Sequence, residues 1–230
     1  MTENQQNEKA FIFLYPEVDI IRHEINGGKR FTNNNQRDKY LSRLKKARSE
    51  SKRKEIQNQA ITQMQNDFGS LYEKTLNSCI DTRYRQKGFS IFYALLDESP
   101  ISPVIESKPN DKIIYVGMDA KTHRTKDKDG NYPYPNQDYI LNQLGSPKIL
   151  RVAGFHMWDC VEKLAKRAYE RGMDTLVDED LTEFFGSRIT DSDFRIDISP
   201  NFNPRKAMDG MLFDCFMNAR KNNPWLWQKY

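Results

Sequence analysis

Cysteine and histidine are both scarce in this chain, with three of each in 230 residues. Cys79, Cys160 and Cys215 are too few and too scattered for a disulfide framework or a structural zinc site. His23, His123 and His156 are equally dispersed, so neither a metal centre nor any other cofactor is expected. Apolar runs stop at five or six residues, far short of a membrane span, which excludes a membrane partner. The opening "MTENQQNEK" carries no apolar stretch behind a basic start and does not read as a secretory signal. A reducing, cytoplasmic setting follows from these absences. Internal repeats are also missing.

What remains is a polar chain with enough apolar material for one core. Hydrophobic residues make up 37% and aromatics 12%, against 30% charged residues. That suits a single domain spanning 1–230. The net charge of +4 is uneven. Residues 22–60 hold 12 Lys/Arg and 4 Asp/Glu, so the remainder is mildly acidic. This basic segment, with a sparse apolar stripe, reads as a helical insertion over about 30–60.

Strand-like runs alternate with helical periodicity. "AFIFLYP" gives a buried strand closed by Pro16. Ile56, Ala60, Met64, Phe68, Leu71, Leu76, Cys79 and Ile80 recur at helical steps up to Gly88. Further strands are expected at 89–97, 112–119, 148–155 and 174–180, with "FRIDI" (194–198) as an edge strand. Helices are expected near "NQDYILNQL", from Asp159 to Arg171, and in a tail from about 204 to 230. Strands that are apolar throughout, separated by helices, imply a mainly parallel sheet of five or six strands in a three-layer α/β/α sandwich. Ligands in such sheets sit beyond the carboxyl ends of the strands.

Cys160 falls at one of those ends. With Asp159 as N-cap, its thiol would occupy the first helical turn, where unpaired backbone N–H groups favour thiolate and can hold an oxyanion. The alternative is a small apolar residue packed between helix and sheet.

"VAGFHMWDCVEKLAKRAYERGMDTLVDEDLTEFF" resembles the core signature of the isochorismatase-like cysteine hydrolases, which include nicotinamidases and N-carbamoylsarcosine amidases. Gly154, Cys160, Val161, Ala165, Ala168, Gly172, Val177 and Asp180 fall at the matching steps, and "RYRQKGFSIFYALLDESP" is similar to the unit before the site. The resemblance implies nucleophilic attack by Cys160 on a carbonyl carbon, with an aspartate as proton acceptor and a lysine beside it. Lys121, just after the third strand, is the lysine candidate. "FLYPEVDI" fits the phrase that carries the aspartate, but Tyr15 stands at the acid position, and a phenol is a weak base with an ordinary pKa near ~10. Asp19 lies four residues on, at a position more often structural than catalytic in that family. "QMQNDF" (63–68) also matches the phrase, yet it lies inside the clearest helical pattern. His156 occupies the bend before the cysteine, where a non-proline cis peptide often sits, and with Met157 and Asp159 it forms the expected pocket and oxyanion region. Asp97 has no histidine near it, so the metal set of nicotinamidases is not seen.

Three functions compete at this point. The first is a divergent relative with altered or lost hydrolase activity that works through binding or assembly. The second is an active hydrolase of a small amide or related carbonyl compound, using Cys160 and Lys121. The third is binding of nucleic acid or an acidic protein through residues 22–60. The Trp-rich end "NNPWLWQKY" is either folded back on the core or a contact in a homo-oligomer.

Overall fold

A computed structural model describes residues 8–16, 34–64, 69–102, 104–189, 191–199 and 210–226. Five strands form one sheet: β1 (Lys9–Leu14), β2 (Ser90–Asp97), β3 (Lys112–Asp119), β4 (Ile149–Gly154) and β5 (Asp174–Val177). All pairings are parallel, in the order β3-β2-β1-β4-β5. The helices are α1 (Asn34–Lys46), α2 (Glu50–Met64), α3 (Ser70–Arg83), α4 (Ala120–Arg124), α5 (Gln137–Gln143), α6 (Glu162–Glu170), α7 (Phe185–Arg188) and α8 (Gly210–Asn222). None of the described helices is long and apolar enough to cross a membrane.

β1 is the central strand, and its sequence shows why. Ala10 to Leu14 are at most 1% exposed, because both faces of the sheet are covered and alternation has no solvent side to serve. Ala10, Ile12 and Leu14 join one core with Phe92, Ala94, Leu150 and Val152, closed by Ile140 and Leu141 of α5, Leu164, Ala165 and Ala168 of α6, and Phe216 of α8. Phe11 and Phe13 point the other way, against Tyr72, Leu76, Cys79 and Ile80 of α3. Tyr72, Leu76 and Ile80 sit four apart with Cys79 beside the last, so a single helix stripe meets the sheet. Each fully buried aromatic or branched side chain contributes roughly 1.5–3 kcal/mol, which makes the six-residue β1 the mechanical centre of the domain.

The sequence expectations need three corrections. "FRIDI" forms no strand: Arg83 Nε donates to the Ile196 carbonyl (2.9 Å) and its Nη2 to that of Arg195, so side-chain donors occupy the backbone that a ladder would use. The fifth strand ends at Val177, because Asp178, Glu179 and Asp180 turn inward to meet buried arginines. The sheet among the described residues has five strands, within the expected five or six. The helix expected from Asp159 starts differently, as described below.

Of the C-terminal tail, Gly210–Asn222 is helical. Trp225 and Leu226 fold back onto the core, where the Trp225 carbonyl accepts the Val177 N–H at 2.8 Å. Residues 204–209 and 227–230 lie outside the described residues, as do 22–33 of the basic segment and most of "QMQNDF". Asp19 and His23 lie outside them as well.

Candidate functional site

The sheet order changes direction between β1 and β4: β1 leads to β2 on one side, while β4 leads to β5 on the other. Beyond their carboxyl ends the connections diverge, and that is the usual place for a ligand in such sheets. Tyr15 directly follows β1, and Cys160 follows β4 by six residues. Their approach is fixed by backbone. Leu14 pairs with Gly154, and the Phe155 N–H donates to the Leu14 carbonyl at 3.2 Å. Gly154 has φ +112, and a Cβ there would lie 2.2 Å from the Leu14 oxygen, so only glycine admits this contact.

The Phe155–His156 peptide is cis. The chain then makes a wide turn over Met157–Val161, in which the His156 carbonyl accepts N–H groups from Asp159 (3.1 Å) and Val161 (3.2 Å). Cys160 thus sits within a five-residue-wide turn ahead of α6, and Asp159 does not cap the helix as expected. Its carboxylate instead accepts from Lys163 Nζ at 2.7 Å, one helical turn on. Of the residues expected in the pocket and oxyanion region, Met157 donates its N–H to Glu183 Oε2 (2.7 Å) and Asp159 its N–H to the His156 carbonyl. Met157 is fully buried and fills the core beneath the turn, while His156 is exposed.

Cys160 is 6% exposed and Tyr15 4%, both in the same apolar core. Burial pushes the Cys160 thiol up to about 12; a hydrogen bond from the Tyr15 phenol pulls the other way, the Asp159 carboxylate adds to the rise, and the Lys163 ammonium offsets it. Tyr15 itself has φ +56, an unusual conformation for a bulky residue, and its N–H donates to the Ala94 carbonyl at 2.8 Å. Side chains held this way concentrate at ligand sites.

The third member is His123, near the end of α4. Its Nε2 lies 3.8 Å from Cys160 Sγ, and its Nδ1 lies 2.9 Å from the Pro133 carbonyl. A carbonyl only accepts, so Nδ1 carries a proton, and in the neutral ring Nε2 then presents its lone pair to the sulfur. The ring is held between Tyr15 (centroids 5.6 Å apart) and Tyr134 (5.9 Å). Lys121, the expected lysine, is exposed on the same short helix, with its backbone N–H donating to Asp119. Two positions along, the helix turns His123 inward instead. The cation that acts on the thiol is Lys163, whose ammonium stands 3.9 Å from the centre of the Tyr134 ring. Burial lowers the Lys163 pKa, but the hydrogen bond to Asp159, together with the charge of that carboxylate and of Tyr134 and Cys160, makes the net shift upward. The Tyr134 pKa is raised, first by its hydrogen bond to Asp159.

His123 and Lys163 were therefore the residues that sequence reading passed over. Lys163 was open to it, since a cation one helical turn after Asp159 faces the same way. His123 was not, because nothing in "AKTHRTKDK" says which side chain of a short polar helix points inward. Asp97, the lone metal-like residue at the end of β2, accepts the Gly117 N–H at 2.9 Å and shapes the irregular end of β3.

Beside the site, β5 ends in a buried ionic knot. Arg83 Nη1 reaches both Asp178 oxygens (3.0 Å each) and Asp180 (3.1 Å), while Arg188 reaches Asp180 (3.0 Å) and Asp191 (2.6 Å). Glu179 pairs with Arg220 and ties α8 to the sheet rim. α8 in turn places Phe216 edge-on against Trp158 in the cysteine turn, with ring centroids 4.8 Å apart. No protein-family model, curated protein or solved structure matches the chain.

Proposed function

We propose that the chain is a cysteine hydrolase of a small amide or related carbonyl compound in which His123 has taken over the proton transfer expected of an aspartate. The reading rests on one observation: His123 Nε2 lies 3.8 Å from the Cys160 sulfur, while the Pro133 carbonyl holds Nδ1 as donor and so leaves Nε2 the acceptor of the neutral ring. A buried thiol whose pKa is raised to about 12 is not a resting thiolate, so the nucleophile must be formed as it attacks. The S–H proton passes to His123 Nε2 while sulfur bonds to the carbonyl carbon. The imidazolium then returns that proton to the leaving nitrogen as the C–N bond breaks, leaving a thioester on Cys160. Water, deprotonated by the same nitrogen, attacks the thioester and restores the thiol. Tyr15 holds the sulfur by hydrogen bond and walls the pocket; its phenol is not the base.

Descent from the isochorismatase-like hydrolases is part of the proposal. It is supported by the parallel sheet covered on both faces, by Gly154 at the end of β4, and by a cysteine facing the residue after β1. The 6% exposure of Cys160 favours a second reading, a protein of the same descent that binds its ligand without turning it over. Steady-state hydrolysis of a panel of small amides and esters separates the two. Turnover lost in both Cys160→Ala and His123→Ala supports the hydrolase. Ligand binding that both variants retain, with no turnover in the wild type, supports the binding protein.

A further inference from the structure

The helices α1 and α2 form a unit that the sheet does not use. Tyr40, Ile56 and Ile61 make a small cluster of their own with Leu44, Ala47 and Ala60, separate from both cores of the sandwich. Over 34–64 the sequence has nine Lys/Arg and three Asp/Glu. Six of the nine fall within the ten residues 45–54, against Glu50 alone, so the charge gathers where α1 ends and α2 begins. Ser49 Oγ accepts the Lys52 N–H (3.2 Å) and sets the start of α2 at that point. Lys52 pairs with Glu55 and Lys54 with Glu50. Among the described residues Lys45, Lys46, Arg48 and Arg53 have no carboxylate partner, and all four are exposed.

We infer that this hairpin binds the sugar-phosphate backbone of nucleic acid. Six cations at the join of two helices, which rise only about 1.5 Å per residue, cover a patch that spans several phosphates spaced roughly 3.4 Å apart on a strand. The described part of the hairpin offers no aromatic side chain for base stacking, since Tyr40 is buried, so the contact reads charge and not sequence. A membrane surface fits less well. A helix lying on lipid needs an apolar face, and Leu41 is the single large apolar side chain exposed among those described here. An acidic protein fits less well too, because protein interfaces bury aromatic and aliphatic anchors and are depleted in lysine.

The test is fluorescence anisotropy of the full chain with a 30-base-pair duplex and with a single-stranded RNA of equal length, at 50 to 200 mM salt. With four or five phosphates neutralised, duplex affinity should fall roughly 10²-fold over that range. The triple variant Lys45→Glu, Lys46→Glu, Arg48→Glu should weaken both probes and flatten the log–log salt slope by about three. These side chains are exposed, so circular dichroism should be unchanged. No binding to either probe at 50 mM salt overturns the inference, as does equal binding by the triple variant. Equal or tighter binding of phosphatidylserine vesicles or polyglutamate overturns the assignment to nucleic acid.

Discussion

Nε2 of His123 lies 3.8 Å from the sulfur of Cys160, although the two residues belong to connections that follow different strands, β3 and β4. That distance suits a weak hydrogen bond to sulfur and a short proton transfer once a substrate draws the thiol forward. The surroundings of both residues give the predictions below.

Cys160 should be slow to alkylate. Burial holds the Cys160 and Cys79 thiols up at about 12, whereas Cys215 is exposed on α8. With iodoacetamide at pH 8, peptide mapping should find Cys215 modified first, with Cys160 and Cys79 lagging until the chain is unfolded. Tyr15→Phe removes the hydrogen bond that favours the thiolate and should slow Cys160 further. Faster labelling of Cys160 than of Cys215 in the folded chain would contradict the burial argument.

Gly154→Ala should damage the site without touching a reacting group. The new methyl meets the Leu14 backbone at 2.2 Å and must adopt φ +112, so β1 and β4 have to separate where Tyr15 and Cys160 meet. A loss of about 2–3 kcal/mol in chemical denaturation is expected, together with loss of turnover. Stability within ~0.5 kcal/mol of wild type would show that the strand ends can part freely.

Much of this fold was legible in the sequence, because parallel strands covered on both faces announce themselves as short apolar runs. β3 falls on the expected 112–119, and β1, β2 and β4 each lie within a residue or so of expectation. The failures have a common cause: long-range polar contacts. "FRIDI" alternates as a strand should, yet Arg83, more than a hundred residues earlier, takes its carbonyls. "DTLVDED" reads as one continuous run until Arg83, Arg188 and Arg220 draw its last three residues, all acidic, inward. At the site, the cysteine and the phenol were readable because strand ends and glycine place them. The imidazole required the fold of a polar loop, which no periodicity encodes.

Arg83→Met should cost more than a surface mutation by a wide margin. Asp178 and Asp180 would be left buried without that cation, and removing one partner of such a pair typically costs about 3–5 kcal/mol. Because the same guanidinium holds the Arg195 and Ile196 carbonyls, residues 194–199 should gain hydrogen-exchange rate beyond the global loss. An unchanged exchange pattern there would mean that the segment is held by something else.

Glu179 should make stability depend on pH near neutrality. Burial raises its pKa to about 7, with the Arg220 partner opposing the rise. The folded chain therefore holds this proton more tightly than the unfolded chain does. The contribution is full below the ordinary carboxyl range and is lost as the pH rises through about 7. Denaturation of wild type and Glu179→Gln at pH 5 and pH 8 should show the wild type losing stability relative to the variant at the higher pH. A pH-independent difference would place the titration elsewhere.

The most direct measurement is rapid mixing with a p-nitrophenyl ester, followed by peptide mass mapping of the acylated residue. A burst of nitrophenolate with the acyl group on Cys160 is expected, abolished in Cys160→Ala and slowed roughly 10²-fold or more in His123→Ala. Acylation confined to Cys215, or a burst that His123→Ala leaves at the wild-type rate, would contradict catalysis by this pair.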